Sequence, residues 1–361
     1  LHSTSRRQRQ MCIRDRFLIL AAMAGALFTA CENGDWEFPD YKYSAVYFAY
    51  QSPIRTITIG EDESVDNSLD NEHKCQIMAT VSGVYENKKD VEIGIRVDNT
   101  LCDGFMYEGT KGDILPLPAS HYTLSDDKIV IKKGQILGGV TVNLTDAYFS
   151  DPKSAELNYV IPVVMTGVQN ADTILQGKAQ VADPHRLNKA DWEVQPKDYT
   201  LYAVRYVSKY DSHYLRRGID TYSGNKTGTE IRHNAYVEKD ETVDGFSTLG
   251  LNKVQWARLA KDAAGKNIET NLILAFDENG NCTVSSNSEG VSASGSGKFV
   301  AKGDKNSWGG KDRDVLYLDY AMDYDGIHCV TKDTLVVHYR GVKAAVSYTH
   351  LRAHETPEHL V

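Results

Sequence analysis

From residue 43 onward apolar side chains recur at every second position, a period that leaves almost no stretch able to bury one face as a helix. Cys75/Ile77/Ala79/Val81, Val91/Ile93/Ile95/Val97, Val140/Val142/Leu144 and Tyr159/Ile161/Val163/Met165 each set an apolar row on one face of an extended strand. Polar connections bearing Gly, Asn and Asp, such as 60–73 and 98–104, separate the rows. Pro162 inside the last row predicts an edge strand, where its missing N–H costs no ladder bond.

The alternation breaks at 182–191, an expected linker, and resumes from Trp192. Tyr202/Val204/Tyr206, Ile231/His233/Ala235/Val237, Leu272/Leu274/Phe276, Val315/Tyr317/Asp319 and Leu335/Val337/Tyr339 carry it, with Asp277–Asn281 and Asp325-Gly326 as hairpin turns. Only 254–264 reads as helical. The expectation is an all-β chain: an Ig-like β-sandwich over 44–181, then an antiparallel lipocalin-like β-barrel over 192–345, with a second sandwich as the alternative.

Both ends read as foreign to this pattern. Met11-Cys12-Ile13-Arg14-Asp15 can be encoded by ATG TGT ATA AGA GAC, whose reverse complement translates as Val-Ser-Tyr-Thr-His, the residues at 346–350. The string resembles the transposon end used in sequencing-library preparation. Residues 1–16 and 346–361 are therefore expected to be translated adaptor.

The apolar, small-residue stretch 17–30 is too short to span a bilayer with ease and stops at Cys31, which predicts a secretory signal peptide. Leu27-Phe28-Thr29-Ala30-Cys31 resembles a bacterial lipobox, although Phe28 departs from its usual small or aliphatic residue. The resemblance implies a diacylglyceryl group on the Cys31 thiol and a lipid-anchored tether over 31–43. The acidic run after Cys31 resembles the surface-export signal of Bacteroidota lipoproteins. Without residues 1–30 and 345–361 the chain carries 34 basic and 46 acidic groups, and no basic stripe for a nucleic acid.

The first half, with Ser44-Ala45-Val46-Tyr47-Phe48, Pro118-Ala119-Ser120-His121-Tyr122 and Tyr159-Val160-Ile161-Pro162-Val163, resembles the N-terminal module that precedes family-eighteen endoglycosidases and related surface lipoproteins in Bacteroidota glycan-utilisation loci. The second half, with Tyr199-Thr200-Leu201-Tyr202, Tyr214-Leu215-Arg216-Arg217-Gly218 and Trp308-Gly309-Gly310-Lys311, is similar to an uncharacterised C-terminal module. The resemblance implies an outer-membrane, surface-exposed accessory protein beside a glycan importer complex, touching the membrane through its lipid alone.

Little in the chain reads as catalytic chemistry. The acid cluster and alternating helices of a family-eighteen glycosidase are missing, as are a Gly-x-Ser-x-Gly elbow and a phosphate loop. Asp277-x-Asn279-x-Asn281 reads as a hairpin rather than a calcium loop, because no Glu closes it. No metal or cofactor is expected. Cys75, Cys102, Cys282 and Cys329 leave three disulfide connectivities open, with buried free thiols as the other reading.

Aromatic residues carry the functional expectation. Tyr199, Tyr202, Tyr206, Tyr210, Tyr214 and Tyr222 crowd near Arg205, Arg216 and Arg217, and Trp308 stands in a Gly-rich loop. Flat rings stack on sugar C–H faces while charged groups read hydroxyls, so Trp308, Tyr210, Tyr214, Arg216 and Arg217 are the candidate glycan-binding residues, for an N-glycan or other polysaccharide. Core packing is the competing reading, above all for Tyr202 and Tyr206. A structural or docking spacer is the alternative function, and an unrecognised hydrolase the third. Palmitate labelling is expected to mark the chain and to fail for Cys31→Ser; an unlabelled wild type contradicts the anchor.

Overall fold

The computed structural model describes residues 42–61, 65–107, 113–340 and 351–353. Cys31, the signal segment, most of the tether, all of residues 1–16 and most of 346–361 lie outside the described residues. Leu351–Ala353, within the segment read as adaptor, pairs with Phe105–Tyr107.

The chain is all-β. In the first half, one sheet runs in the order Thr173–Ile174, Ala45–Tyr47, Lys74–Ser82, Leu137–Leu144, Tyr122–Leu124. The facing sheet runs Ile54–Thr58, Tyr199–Val207, Tyr159–Gln169, Val91–Val97, Lys128–Ile131. Cys75, Ile77, Ala79 and Val81 from the first sheet meet Ile93, Ile95, Ile161 and Val163 from the second in one buried core. The period-two rows are thus the inward faces of two sheets.

Two sequence expectations need correction here. Pro162 is not at an edge: its strand, Tyr159–Gln169, is central. The Pro162 carbonyl accepts the Asp98 N–H at 2.9 Å, and a strand residue's N and C=O face the same side. The missing N–H therefore falls just past Val97, where the neighbouring strand ends and no ladder bond is lost. The domain boundary also moves. Tyr199–Val207, expected in the barrel, pairs with Tyr159–Gln169 from Val160↔Ala203 to Val164↔Tyr199 and lies parallel to Ile54–Thr58.

The polar break is a loop of the first lobe. Arg186 clamps the buried Asp198 at 2.9 Å, the Trp192 indole donates to the His185 carbonyl at 2.9 Å, and Trp192–Val194 pairs with Lys178–Ala179. The chain changes lobes near Ser208, whose N–H donates to Thr248 Oγ1 and whose hydroxyl donates to the Leu251 carbonyl at 2.7 Å.

The second half is a ten-stranded, strongly curled antiparallel sheet. Its meander runs Phe246–Gly250, Lys253–Trp256, Leu272–Phe276, Asn281–Ser286, Val291–Asp304, Arg313–Tyr324, Ile327–Tyr339, His213–Gly224. Gly228–Arg232 and Glu241–Val243 share the far edge of the last of these strands. The curl encloses one core in which Tyr214 packs on Phe246 from the opposite edge, 4.7 Å between ring centres. Among the described residues no ladder joins the two edges, so the closed lipocalin-like barrel is not formed and a seam remains.

The expected helix at 254–264 is absent. Val254 and Trp256 point inward opposite Leu274 and Leu272, and that burial outweighs the helix propensity of the Ala, Leu and Lys residues that follow. Asp277 forms the expected hairpin, accepting from Asn279 and Asn281 N–H groups at 2.9 and 2.8 Å. A fragment spanning 42–208 is expected to unfold cooperatively in urea, whereas one ending at 190 lacks the strand beside Tyr159–Gln169 and is expected to melt without a sharp transition.

Candidate functional site

The richest surface groove forms where the last long strand leaves the curled sheet. Val291–Asp304 and Arg313–Tyr324 pair regularly to Val300↔Val315, then shift register and rejoin at Asp304↔Arg313. Between them 305–312 swing out, with Gly309 and Gly310 at φ 71° and 68°, a backbone shape side-chain-bearing residues resist. This turn folds Trp308 back onto the outer sheet face beside Leu215, Val315 and Val336.

Trp308 is held on several sides. Its Nε1–H donates to the Val337 carbonyl at 3.0 Å, His338 meets it edge-on at 5.1 Å, and the Arg313 guanidinium lies 3.5 Å from the ring centre. Tyr339 stacks on His213 at 4.1 Å and 14°, and His213 Nδ1 lies 2.7 Å from Asp244. Trp308, His338, Tyr339 and His213 thus form an aromatic ladder, and Tyr339 is half exposed.

The groove has a volume of about 420 Å³, and Trp308, Arg313, His338, Tyr339 and Arg340 are among its walls. Its charges are paired: Lys302 with Glu61 at 2.8 Å, Lys305 with Asp312 at 2.8 Å, and Arg340 with Asp314 at 2.7 Å. Arg340 also donates to the Lys209 carbonyl and to Ser212, and its bond to the Glu61 carbonyl ties the groove floor to the first lobe. Burial, then electrostatic interaction with His213 and Arg313, pulls the His338 pKa below the usual imidazole range. The ring therefore stays neutral near pH 7.

Aromatic surface beside donors and acceptors suits a polyhydroxyl ligand. Asp312 and Asp314 are each committed to a cation, and among the described residues no three His, Cys, Asp or Glu side chains cluster to hold a metal ion. A larger open cavity of about 740 Å³ runs along Thr173–Ile174, but Tyr43 is its one aromatic wall.

Of the five glycan candidates read from sequence, only Trp308 lines the groove. Tyr210 is buried and stacked on Phe276 at 3.6 Å, and Tyr214 is buried with its hydroxyl donating to the Tyr210 carbonyl at 2.7 Å. Arg216 points inward to Asp333, with N–H donors at 3.0 and 2.9 Å. Arg217 points outward to Asp240 at 2.5 Å. Tyr210 and Tyr214 are core residues, because inward positions of a curled sheet need large side chains to fill it.

Tyr339, His338, His213 and Arg340 were missed as site residues. Tyr339 continued the inward row of Leu335 and Val337, but at the strand end it turns half out to solvent. The four cysteines are free and buried, so no bridge forms among them. Burial pushes the Cys75, Cys102 and Cys282 thiols up to about 12, which keeps them unreactive.

Comparisons with known proteins follow this two-part division. Residues 209–341 match DUF5627, a domain of unknown function, and residues 41–172 match a model described as an N-terminal domain. A Bacteroides ovatus structural-genomics protein of unknown function is 46% identical, with a TM-score of 0.79 over 87% of this chain and 98% of its own. A second such protein from Bacteroides ovatus is 12% identical, with a TM-score of 0.37 over 84% of this chain and 97% of its own. A protein of Bacteroides ovatus ATCC 8483, provisionally named as carbohydrate binding, is 12% identical, with a TM-score of 0.27 over 84% of this chain and 100% of its own. No curated protein matches the chain.

Arg216→Ala removes two of the donors that hold the buried Asp333 and is expected to cost about 3–5 kcal/mol, read by urea denaturation.

Proposed function

The chain belongs to the same family as the 46% identical Bacteroides ovatus protein of unknown function, and from that premise we propose that it is a non-catalytic, lipid-anchored cell-surface protein that binds glycans beside an outer-membrane importer. The observation that carries the reading is Tyr339: a half-exposed ring, backed by His213, in one groove with the Trp308–Arg313 stack and a set of paired charges. Sugar rings present axial C–H patches to such a ring and hydroxyls to such charges. The ion pairs fix the groove's polar groups before a ligand arrives, which lowers the entropy cost of binding. Lipidation at Cys31 would hold this face outside the cell, where glycans reach it.

Calorimetry against N-glycans, mannans and plant polysaccharides tests the proposal. One class is expected to bind, and Tyr339→Ala to weaken it about tenfold while leaving the unfolding midpoint within experimental error. Binding that Tyr339→Ala leaves intact contradicts the site. Silence across the whole panel contradicts the function and favours a spacer or docking role.

A further inference from the structure

Inside the curled sheet three guanidinium groups share two buried carboxylates. Asp333 accepts from Arg216 Nε and Nη2 at 3.0 and 2.9 Å, from Arg232 Nη2 at 2.9 Å and from the Tyr320 hydroxyl at 3.1 Å. Asp220 accepts from both Arg232 Nη atoms, from Thr331 Oγ1 at 2.7 Å and from the Tyr222 hydroxyl at 3.1 Å. Each carboxylate has about four lone-pair sites, so both are nearly saturated.

Arg258 is left over. It is 8% exposed, and its nearest carboxylate oxygen, on Asp220, is 3.9 Å away. Its Nη1 donates to the Met322 sulfur at 3.2 Å, a weak acceptor, and the guanidinium lies 5.9 Å from the Trp256 ring centre. The Nε atoms of Arg258 and Arg232 are both buried without a hydrogen-bond partner among the described residues.

The two carboxylates at the rim do not fill the gap. Glu230 is held by Lys226 at 2.8 Å and Tyr222 at 3.2 Å, and among the described residues Glu241 pairs with Arg216, at 3.5 Å. Arg258 thus has only a long ion pair to a carboxylate already filled by other donors, and an orphaned buried N–H asks for an acceptor.

Arg232 is the approach from solvent: it ends the edge strand Gly228–Arg232 and its side chain is one-fifth exposed, while Trp256 ends the strand next to the opposite edge and Arg258 lies two residues beyond it. We propose that the seam is a carboxylate-binding site, in which a small organic acid or the carboxyl of a uronic acid takes the unsatisfied N–H donors of Arg258 and Arg232 and gives Arg258 a close carboxylate partner. This site is separate from the outer groove and does not depend on its ligand.

Thermal unfolding of the intact chain tests it, with sodium acetate and sodium glucuronate compared with sodium chloride at equal ionic strength and with glucose. Either carboxylate is expected to raise Tm by about 2–4 °C above the chloride control, with glucose inert. A larger rise with glucuronate assigns the source to acidic sugars; an equal rise assigns it to organic acids generally. Arg258→Met and Arg258→Gln are each expected to abolish the rise. No rise beyond chloride in the wild type overturns the proposal, as does a rise that both variants retain.

Discussion

A sheet that curls far enough to enclose its own core must have places where two strands come closer than side chains allow. Gly295 and Gly297 supply them. A Cβ on Gly295 would lie 2.4 Å from the Tyr320 Cβ, and one on Gly297 would lie 2.6 Å from a Leu318 methyl and 2.8 Å from the Cys282 sulfur. Both glycines stand opposite those residues in the ladder, at Gly295↔Tyr320 and Gly297↔Leu318. Bare backbone at these inward positions lets the sheet bend and gives Tyr320 room to reach Asp333.

The two faces of that bend have different chemistry. Inside, Leu272, Leu274, Leu316 and Leu335 share one core with Tyr214 and Trp256, while Arg216, Asp220 and Asp333 form an ionic network beside it. Burial alone would push the Asp220 carboxyl up, but hydrogen bonds from Arg232 and Thr331 and the charges of Arg232 and Arg258 hold it below the usual range. Its share of stability is present above the ordinary carboxylate pKa and is lost as pH falls through the depressed value. Outside, the same sheet lays Trp308 and Tyr339 along a groove whose floor, Arg340, is anchored to the first lobe through the Glu61 carbonyl.

Much of this was legible in the sequence because a period of two states which side chains share a face. Cys75, Ile77, Ala79 and Val81 are all buried, as are Tyr202, Val204 and Tyr206. A period does not state which sheet a strand joins. Tyr199–Val207 follows a polar break, yet it completes the first lobe, since only pairing beside Tyr159–Gln169 buries both of its faces. The Tyr-rich run looked like a ligand surface, but it crosses from one core to the other. Tyr206 fills the first interior, and Tyr210 and Tyr214 fill the second. The ionic network was hidden for a related reason: Asp220 and Asp333 are far apart in the chain and become neighbours only when His213–Gly224 pairs with Ile327–Tyr339.

The central claim is that the outer groove, and not the aromatic interior, meets the glycan. Nuclear magnetic resonance of the four tryptophan indole N–H groups separates the two, because Trp308 lies in the groove and Trp256 in the core. Titration with a bound oligosaccharide is predicted to move the Trp308 signal and leave Trp256 in place. A Trp308 signal that stays fixed while the sugar binds, or a shift at Trp256 alone, would contradict the account.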